Sequence, residues 1–290
     1  MGSTQAVRLL GPAQVRELAA ELSIQPTKKL GQNFVIDPNT IRRIVQAARV
    51  EPGTRVLEIG PGLGSLTLGL LEAGSSVVVV EIDRRLAARL PATVSERAPG
   101  AHVDVIVGDA MQVGRPEIAA AGASPVALVA NLPYNVSVPV LVHVLGQLPS
   151  IHTGLVMVQQ EVAERIAARP GGRVYGAPSA KLAWYGQWEL AGLVGTNVFW
   201  PAPNVGSALL RFTGAEAPGD DALRCETFAV IEAAFSARRK TLRQALAGWA
   251  GSAAQAEARL RAAGVDPQAR AERLGVAEFV ALATSNREGS

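Results

Sequence analysis

The segment Asn131-Leu132-Pro133-Tyr134 carries residue types that can bind the exocyclic amine of a base. An asparagine side-chain oxygen and a backbone carbonyl, here most simply that of Leu132, could each accept one hydrogen of adenine N6. This would localise on the nitrogen a lone pair that is otherwise delocalised into the ring, so that it can attack an electrophilic methyl group. Pro133 would fix the turn, and Tyr134 would stack on an extruded base. The alternative is a strand-to-turn tetrapeptide without a role.

A glycine-rich turn covers Glu58 to Gly64, between a predicted strand and a predicted helix. Glycines there let the backbone pass close to a ligand. Dinucleotide-binding proteins space these glycines as G-x-G-x-x-G, which would require a glycine at Ser65. The observed G-x-G-x-G with an acid two residues before it resembles motif I of class I methyltransferases. This spacing favours a methyltransferase over an NAD-dependent oxidoreductase, and a purely structural turn is the third alternative.

Carboxylates stand at the ends of the next two predicted strands. Glu81 follows four valines, about 20 residues after the glycines, where a carboxylate can accept the ribose hydroxyls of a nucleoside ligand. Asp83 is a second, less well placed candidate for that role. Asp109 follows the third strand and can accept a hydrogen bond from the adenine amine of the ligand. Each could instead be an ordinary solvated charge, but strand ends that face one crevice favour ligand contacts.

Strands and helices alternate through the middle of the chain and would position these residues. The predicted strands cover 55–59, 76–80, 103–107, 126–130 and 155–158, with helical patterns between them. The valine-rich run before Glu81 has no polar alternation, as expected for a strand buried on both faces. The pattern therefore predicts an α/β, Rossmann-like fold with a parallel sheet covered by helices on both sides.

A helix is predicted at about 161–168, and the pattern changes after it. Two further strands are expected at 190–196 and 207–212, and the small, polar segment 214–221 marks a boundary before a helical remainder. We therefore predict a first domain at 1–213, with a helical and basic N-terminal extension over about 1–50. A helical C-terminal domain is predicted at 218–290. In the extension, helices are expected at 11–21 and after Asp37-Pro38, an N-cap followed by a proline.

Composition narrows the classes of protein. The chain has 290 residues, 48% of them hydrophobic, and a formal net charge of +3, which permits an anionic partner without requiring one. The single cysteine, Cys225, excludes an intramolecular disulfide and fits a reducing cytoplasm. No apolar run reaches the roughly 18 residues of a membrane span, and the first ten residues do not resemble a signal peptide. His102, His143 and His152 share no metal-ligand spacing, so we expect a cytoplasmic protein without a metal.

Motifs along nearly the whole chain together resemble the KsgA/RsmA-type family of small-subunit ribosomal RNA adenine N6,N6-dimethyltransferases. Besides the segments above, they are 28–34, 199–207 and 234–243. The resemblance implies a class I methyltransferase domain that uses S-adenosylmethionine (SAM), and a small helical C-terminal domain. It further implies dimethylation of two adjacent adenines in the 3′-terminal hairpin loop of 16S rRNA, and a monomer that binds ribosomal RNA within the small subunit and no membrane.

The resemblance also implies roles for individual residues. Contacts to SAM are expected from Asn33, Val35, Gly60, Glu81, Asp109 and Asn131. The methyl-transfer site would comprise Asn131, Leu132, Pro133, Tyr134 and Phe199. RNA phosphates would be bound by Lys28, Lys29, Arg238, Arg239, Lys240 and Arg243, although a charge run such as 238–243 can also be a solvated helix start. Two residues depart from the family: Gly206 stands where aspartate is usual, and Val35 replaces a leucine.

Three alternatives stay open at this point. An Erm-type large-subunit methyltransferase that confers antibiotic resistance shares the Asn131–Tyr134 motif, but segments 238–243 and 264–267 resemble the small-subunit group more closely. A non-catalytic ribosome-assembly or RNA-binding factor would not need an intact motif beside complete cofactor positions. An oxidoreductase is disfavoured by the glycine spacing and by the lack of a candidate acid for hydride transfer.

Overall fold

The predicted alternation of strands and helices is present in the computed structural model, which describes residues 6–24 and 33–288. Within these residues the strands are β1 (Phe34–Val35), β2 (Arg55–Ile59), β3 (Ser76–Glu81), β4 (Val103–Val107), β5 (Ala127–Asn131), β6 (Thr153–Gln159), β7 (Gly186–Val194), β8 (Phe199–Trp200) and β9 (Ser207–Gly214). The helices are α1 (Pro12–Glu21), α2 (Pro38–Ala48), α3 (Ser65–Glu72), α4 (Arg84–Arg97), α5 (Arg115–Ala120), α6 (Ser137–Gln147), α7 (Gln160–Ile166), α8 (Ala177–Leu182), α9 (Asp221–Ser236), α10 (Leu242–Ala245), α11 (Ala247–Ala250), α12 (Ala253–Ala262) and α13 (Val276–Glu288).

Two compact units divide the chain at Gly214, where the sequence predicts a boundary. The described part of the first unit comprises 6–24, 33–163 and 189–214, and that of the second comprises 164–188 and 215–288. The predicted domain 1–213 therefore differs in one segment, 164–188, which packs with the C-terminal helices. Aromatic contacts account for this packing. The rings of Trp184 and Tyr185 both meet the Phe228 ring edge-on, with centroids 6.2 Å from it for Trp184 and 6.3 Å for Tyr185.

The main sheet of the first unit has seven strands in the order β4-β3-β2-β5-β6-β9-β7. The five strands from β4 to β6 are parallel, and β9 is antiparallel to β6. The strand order reverses at β2 and β5, and ligands of open α/β sheets bind outside the carboxyl ends of the strands at such a point. This is the Rossmann-like fold predicted from the sequence. Because β9 runs the opposite way, its first residue, Ser207, lies at the same edge as those carboxyl ends.

Local sequence explains the strand and the helix next to the carboxyl ends of the parallel strands. The valines of β3 are all buried, which fits a central parallel strand covered on both faces. Helix α2 begins as predicted, because the Asp37 carboxylate accepts hydrogen bonds from the N–H groups of Asn39 and Thr40, and Pro38 occupies the first turn. The predicted N-terminal extension is not a separate layer, since Val15 and Ile41 belong to the core of the first unit.

Helices dominate the second unit, as predicted. Helix α9 begins at the N-cap Asp220, whose side chain accepts from the N–H of Leu223, and buries Val230 and Ile231. Helix α8 was not predicted, and β7 begins at Gly186, four residues earlier than the predicted strand. Across the described ranges, no helix combines the length and the apolar character that crossing a membrane requires.

Candidate functional site

A cavity of about 410 Å³ opens in the first unit at the carboxyl ends of β2, β3, β4 and β5. Its lining includes every residue predicted to contact the cofactor: Asn33, Val35, Gly60, Glu81, Asp109 and Asn131. Leu132 and Pro133 also line it. The structure therefore brings Asn33 and Asn131, which are 98 positions apart in the chain, to one cavity.

The glycine turn after β2 needs glycine at three positions. Gly60, Gly62 and Gly64 have φ angles of 66°, 58° and 93°, in the left-handed region that residues with a Cβ rarely adopt. A Cβ at Gly62 would lie 2.8 Å from Cε1 of Phe34, which lines the cavity. A Cβ at Gly60 would meet no atom within 4 Å, so the backbone there is open to a ligand.

Glu81 lies at the end of β3 with only 4% of its surface exposed. Its Oε2 accepts the N–H of Gly62 at 3.1 Å, and its Oε1 accepts the N–H of Asp83 at 2.9 Å. Burial raises the pKa of this carboxyl, and the two N–H groups oppose that shift. Each oxygen keeps a lone pair for a ligand hydroxyl. Asp83, in contrast, caps α4 and pairs with the Arg85 guanidinium, which lowers the pKa of Asp83.

Glu58, at the fourth position of β2, is a cavity residue to which the sequence analysis gave no role. It is 1% exposed, and the Thr67 hydroxyl donates to its Oε2 at 2.6 Å. Burial raises the pKa of Glu58 to about 8, with the Thr67 hydrogen bond opposing the shift and the nearby Glu81 carboxylate adding to it. Glu58 is therefore mostly protonated at neutral pH. Its position two residues before the first glycine of the turn was the feature of the sequence that could have identified Glu58 as a cavity residue.

The Asn131 side chain has a fixed orientation. Its Nδ2 donates to the backbone oxygen of Asn33 at 3.0 Å. Because a carbonyl oxygen can only accept, this contact requires the amide nitrogen on that side and leaves Oδ1 for another donor. The N–H of Leu132 donates to the oxygen of Met157 at 3.0 Å, which fixes the start of the loop to β6.

Asp109 follows β4 and also has a defined local structure. Its Oδ1 accepts the N–H of Met111 at 2.9 Å, which turns the chain back after Gly108. Asp109 is exposed and lines the cavity. An accepting oxygen at this place suits an exocyclic amine of a bound nucleoside.

The aromatic residues predicted to hold the base lie outside the cavity lining. Tyr134 is half-buried, and its hydroxyl shares a hydrogen bond of 2.6 Å with Ser207 Oγ. Phe199 is 3% exposed within the core of the first unit, so its contact with a base stays a prediction that requires the ring to become accessible. Its neighbour Trp200 was not predicted as a site residue. The Trp200 ring is less buried and stacks on Phe34, with centroids 6.4 Å apart.

Comparison with known proteins identifies the group to which this fold and cavity belong. Residues 24–287 match the family described as "Ribosomal RNA adenine dimethylase". The chain belongs to this family.

Curated relatives of this ribosomal RNA adenine dimethylase are similar over their full length. The chain is 59% identical over 279 residues to "Ribosomal RNA small subunit methyltransferase A" of Thermobifida fusca, which covers 95% of this chain and 96% of the relative. It is 57% identical over 293 residues to the protein with the same description from Streptomyces griseus subsp. griseus, with coverages of 100% and 99%.

Solved structures agree with the fold of a ribosomal RNA adenine dimethylase. The 23S rRNA methyltransferase ErmE is 28% identical, with a TM-score of 0.62 over 87% of this chain and 99% of that one. A dimethyladenosine transferase from Plasmodium falciparum is 22% identical, with a TM-score of 0.71 over 87% and 97%. At that identity, the second likeness shows the fold alone.

The basic residues predicted for this dimethylase differ in their surroundings. Arg238, Arg239 and Lys240 are exposed and lie in the turn between α9 and α10, not at a helix start. Arg243 pairs with Glu257 at 2.8 Å. Arg238 donates to a backbone oxygen, but Arg239 and Lys240 make no ion pair within the described ranges. Lys28 and Lys29 lie outside the described residues.

Metal binding was not expected in this dimethylase. Over the ranges that the structure describes, no three His, Cys, Asp or Glu side chains cluster in a way that could hold a metal ion. The expectation of a metal-free site stays a prediction.

Proposed function

We propose that this chain transfers methyl groups from SAM to N6 of adenine in small-subunit ribosomal RNA. The observation that carries the proposal is the orientation of Asn131, whose Oδ1 is left to accept a hydrogen in the cavity because Nδ2 is bound to Asn33. The family match and relatives described as small-subunit methyltransferases support the same substrate class. The target in this proposal is two adjacent adenines, each dimethylated, as in the sequence-based prediction.

The cavity residues fit SAM. Gly60 leaves open space beside the backbone, Glu81 has lone pairs for two ribose hydroxyls, and Asp109 can accept from an adenine amine. When bound, SAM supplies a methyl group on a positively charged sulfur, which is an electrophile. Asn33, Val35 and the other cavity residues predicted for the cofactor would hold it.

The loop 131–134 makes the amine a better nucleophile in this proposal. Asn131 Oδ1 accepts one N6 hydrogen and the Leu132 carbonyl accepts the other, which draws electron density onto the nitrogen. Pro133 keeps the two acceptors in one turn, and Tyr134 stacks on the base. A strong general base is not needed during transfer, because the nitrogen becomes acidic only after it has been alkylated.

Labelled SAM with unmethylated small and large ribosomal subunits tests the proposal directly. We expect dimethyladenosine in small-subunit RNA, measured by nucleoside mass spectrometry. Label in the large subunit alone would instead support the reaction named for ErmE, which is 28% identical to this chain. No label in either subunit would favour the non-catalytic assembly factor.

The cofactor assignment predicts a loss of affinity in Glu81→Gln. The variant keeps the size of the side chain but exchanges one accepting oxygen for an NH2 donor. The N–H of Gly62 or of Asp83 then loses its acceptor, and only one side-chain oxygen remains to accept from the ribose hydroxyls. We expect SAM affinity to fall by about 1–3 kcal/mol, measured by calorimetry. A larger loss in Asp83→Asn than in Glu81→Gln would transfer the ribose role to Asp83 and contradict the assignment.

RNA contact by Arg239 and Lys240 predicts a change in salt dependence. Neutral variants of both together should weaken RNA binding and flatten the plot of log affinity against log salt by roughly 0.7–0.9 per lost phosphate contact. SAM affinity should not change. Arg243→Gln is the matched comparison, and its effect on the slope should be smaller because that guanidinium already pairs with Glu257. A slope identical to wild type in the double variant would show that the two residues do not contact RNA phosphates.

A further inference from the structure

Ser207 is a buried serine whose hydroxyl meets the proposed base-stacking residue. It is 1% exposed, and its Oγ lies 2.6 Å from the Tyr134 hydroxyl. Tyr134 is 73 positions away in the chain and follows β5. This hydrogen bond joins the loop 131–134 to β9, which lies on the other side of β6 from β5.

The sheet topology explains why a serine at the start of β9 reaches this loop. Strands β5 and β6 are parallel, with Asn131 opposite Met157, and β9 is antiparallel to β6, with Ser207 opposite Gln159. The amino end of β9 therefore lies beside the carboxyl ends of β5 and β6. A parallel strand in the place of β9 would present its last residue at this edge.

The two hydroxyls depend on each other for a partner. Within the described residues, the Ser207 side chain makes no other hydrogen bond than that to Tyr134. Burial raises the pKa of the Tyr134 phenol, so the phenol keeps its proton at neutral pH and the pair holds a donor and an acceptor. Removal of either hydroxyl leaves the other without its partner, which is costly in a buried place.

Ser207 is also a rigid point of attachment. It is paired with β6 along the ladder, and the preceding Gly206 accepts the N–H of Gln160 at 3.0 Å. The tyrosine Oη lies on the axis of rotation about χ2, so a bond at Oη fixes χ1 and with it the place of the ring. Rotation about χ1 would otherwise allow the ring three staggered positions.

We infer that Ser207 is a positioning residue for methyl transfer. It acts through Tyr134, holding the ring where it stacks on the target adenine. The inference rests on the proposed function, because it concerns the same loop. Ser207 itself touches neither the base nor the cofactor in this arrangement.

Single-turnover methylation of unmethylated small subunits at saturating SAM tests the inference. Ser207→Ala and Tyr134→Phe should each slow the transfer by a similar factor, about 5- to 30-fold, because each removes the same hydrogen bond. The double variant should be no slower than either single one. Ser207→Thr, which keeps the hydroxyl, should restore the rate. All four variants should bind SAM with the wild-type affinity, measured by calorimetry. A variant that failed to fold would lose this affinity.

Ser75→Ala is the matched control. Ser75 is also a buried serine beside a strand of the sheet, but its hydroxyl makes no hydrogen bond within the described ranges, and it precedes β3 at the opposite end from the cavity. Its transfer rate should equal wild type. Wild-type rates in both Ser207→Ala and Tyr134→Phe, or effects that multiply in the double variant, would overturn the inference while the proposed function stands. Should wild type itself transfer no methyl group, the proposed function fails and the inference fails with it.

Discussion

Asn131→Ala is expected to slow the first methyl transfer by about 30- to 1,000-fold, the equivalent of roughly 2–4 kcal/mol in the barrier. The structure gives the physical reason. Nδ2 is bound to the Asn33 carbonyl before any substrate arrives, so Oδ1 needs no reorganisation to accept an N6 hydrogen. Alanine removes this acceptor and leaves the nitrogen lone pair delocalised into the adenine ring.

The measurement is a single-turnover time course that resolves mono- and dimethyladenosine at saturating SAM. Saturation matters because Asn131 also lines the cofactor cavity, so that its loss can lower SAM affinity separately. Asn135→Ala is the matched control, since Asn135 is an exposed asparagine of the same loop. Equal rates in the two variants would contradict the role of Asn131 in activating the amine.

Glu58→Gln is expected to stabilise the first unit at and above neutral pH and to remove much of its pH dependence. In the unfolded chain Glu58 ionises near 4.5, but in the folded protein burial raises its pKa to about 8. Below the lower value both states are protonated and the full stability is present. As the pH rises toward 8, the unfolded state releases a proton that the folded state keeps, and the free energy of unfolding falls by about 1.4 kcal/mol per pH unit.

Between the two pKa values, wild type loses on the order of 3–5 kcal/mol of unfolding free energy. Glutamine has nearly the same shape, carries no charge, and can still accept from the Thr67 hydroxyl at 2.6 Å in place of Glu58. Thermal unfolding midpoints of the two proteins should therefore agree near pH 5 and diverge as the pH approaches 8. Glu117→Gln, at an exposed glutamate of helix α5, serves as the control. Its curve should run parallel to wild type from pH 5 to 8, because the lowered pKa of Glu117 places its own titration below that range. Parallel curves for wild type and Glu58→Gln would show that Glu58 is ionised in the folded protein.

Local pattern was enough to predict the sheet edge. The valine run of β3, the glycine turn after β2 and the Asp37-Pro38 start of α2 are each determined by residues close together in sequence, and the structure confirms all three. Since the carboxyl ends of parallel strands share one edge, residues placed at those ends were correctly expected to meet in one cavity.

Contacts between distant side chains could not be predicted in the same way. The bonds Asn131–Asn33 and Tyr134–Ser207 depend on how separate strands are ordered and on their direction, which no local periodicity encodes. The same holds for the packing of Trp184 on Phe228, which places the segment 164–188 in the second unit. The surroundings of the basic run 238–243 could not be predicted either, because Arg243 pairs with Glu257 on the separate helix α12.

The contact that orients Asn131 ends on a backbone oxygen, and this has a consequence for mutational scanning. A carbonyl group is present whichever amino acid occupies position 33, so a saturation library there varies the side chain of Asn33 while the acceptor for Asn131 Nδ2 stays in place. Position 131 offers no such freedom under the proposed function, which requires the side-chain amide. If substitutions are tolerated at position 33 and not at position 131, one library would show that position 33 contributes its backbone oxygen and that position 131 contributes its side chain.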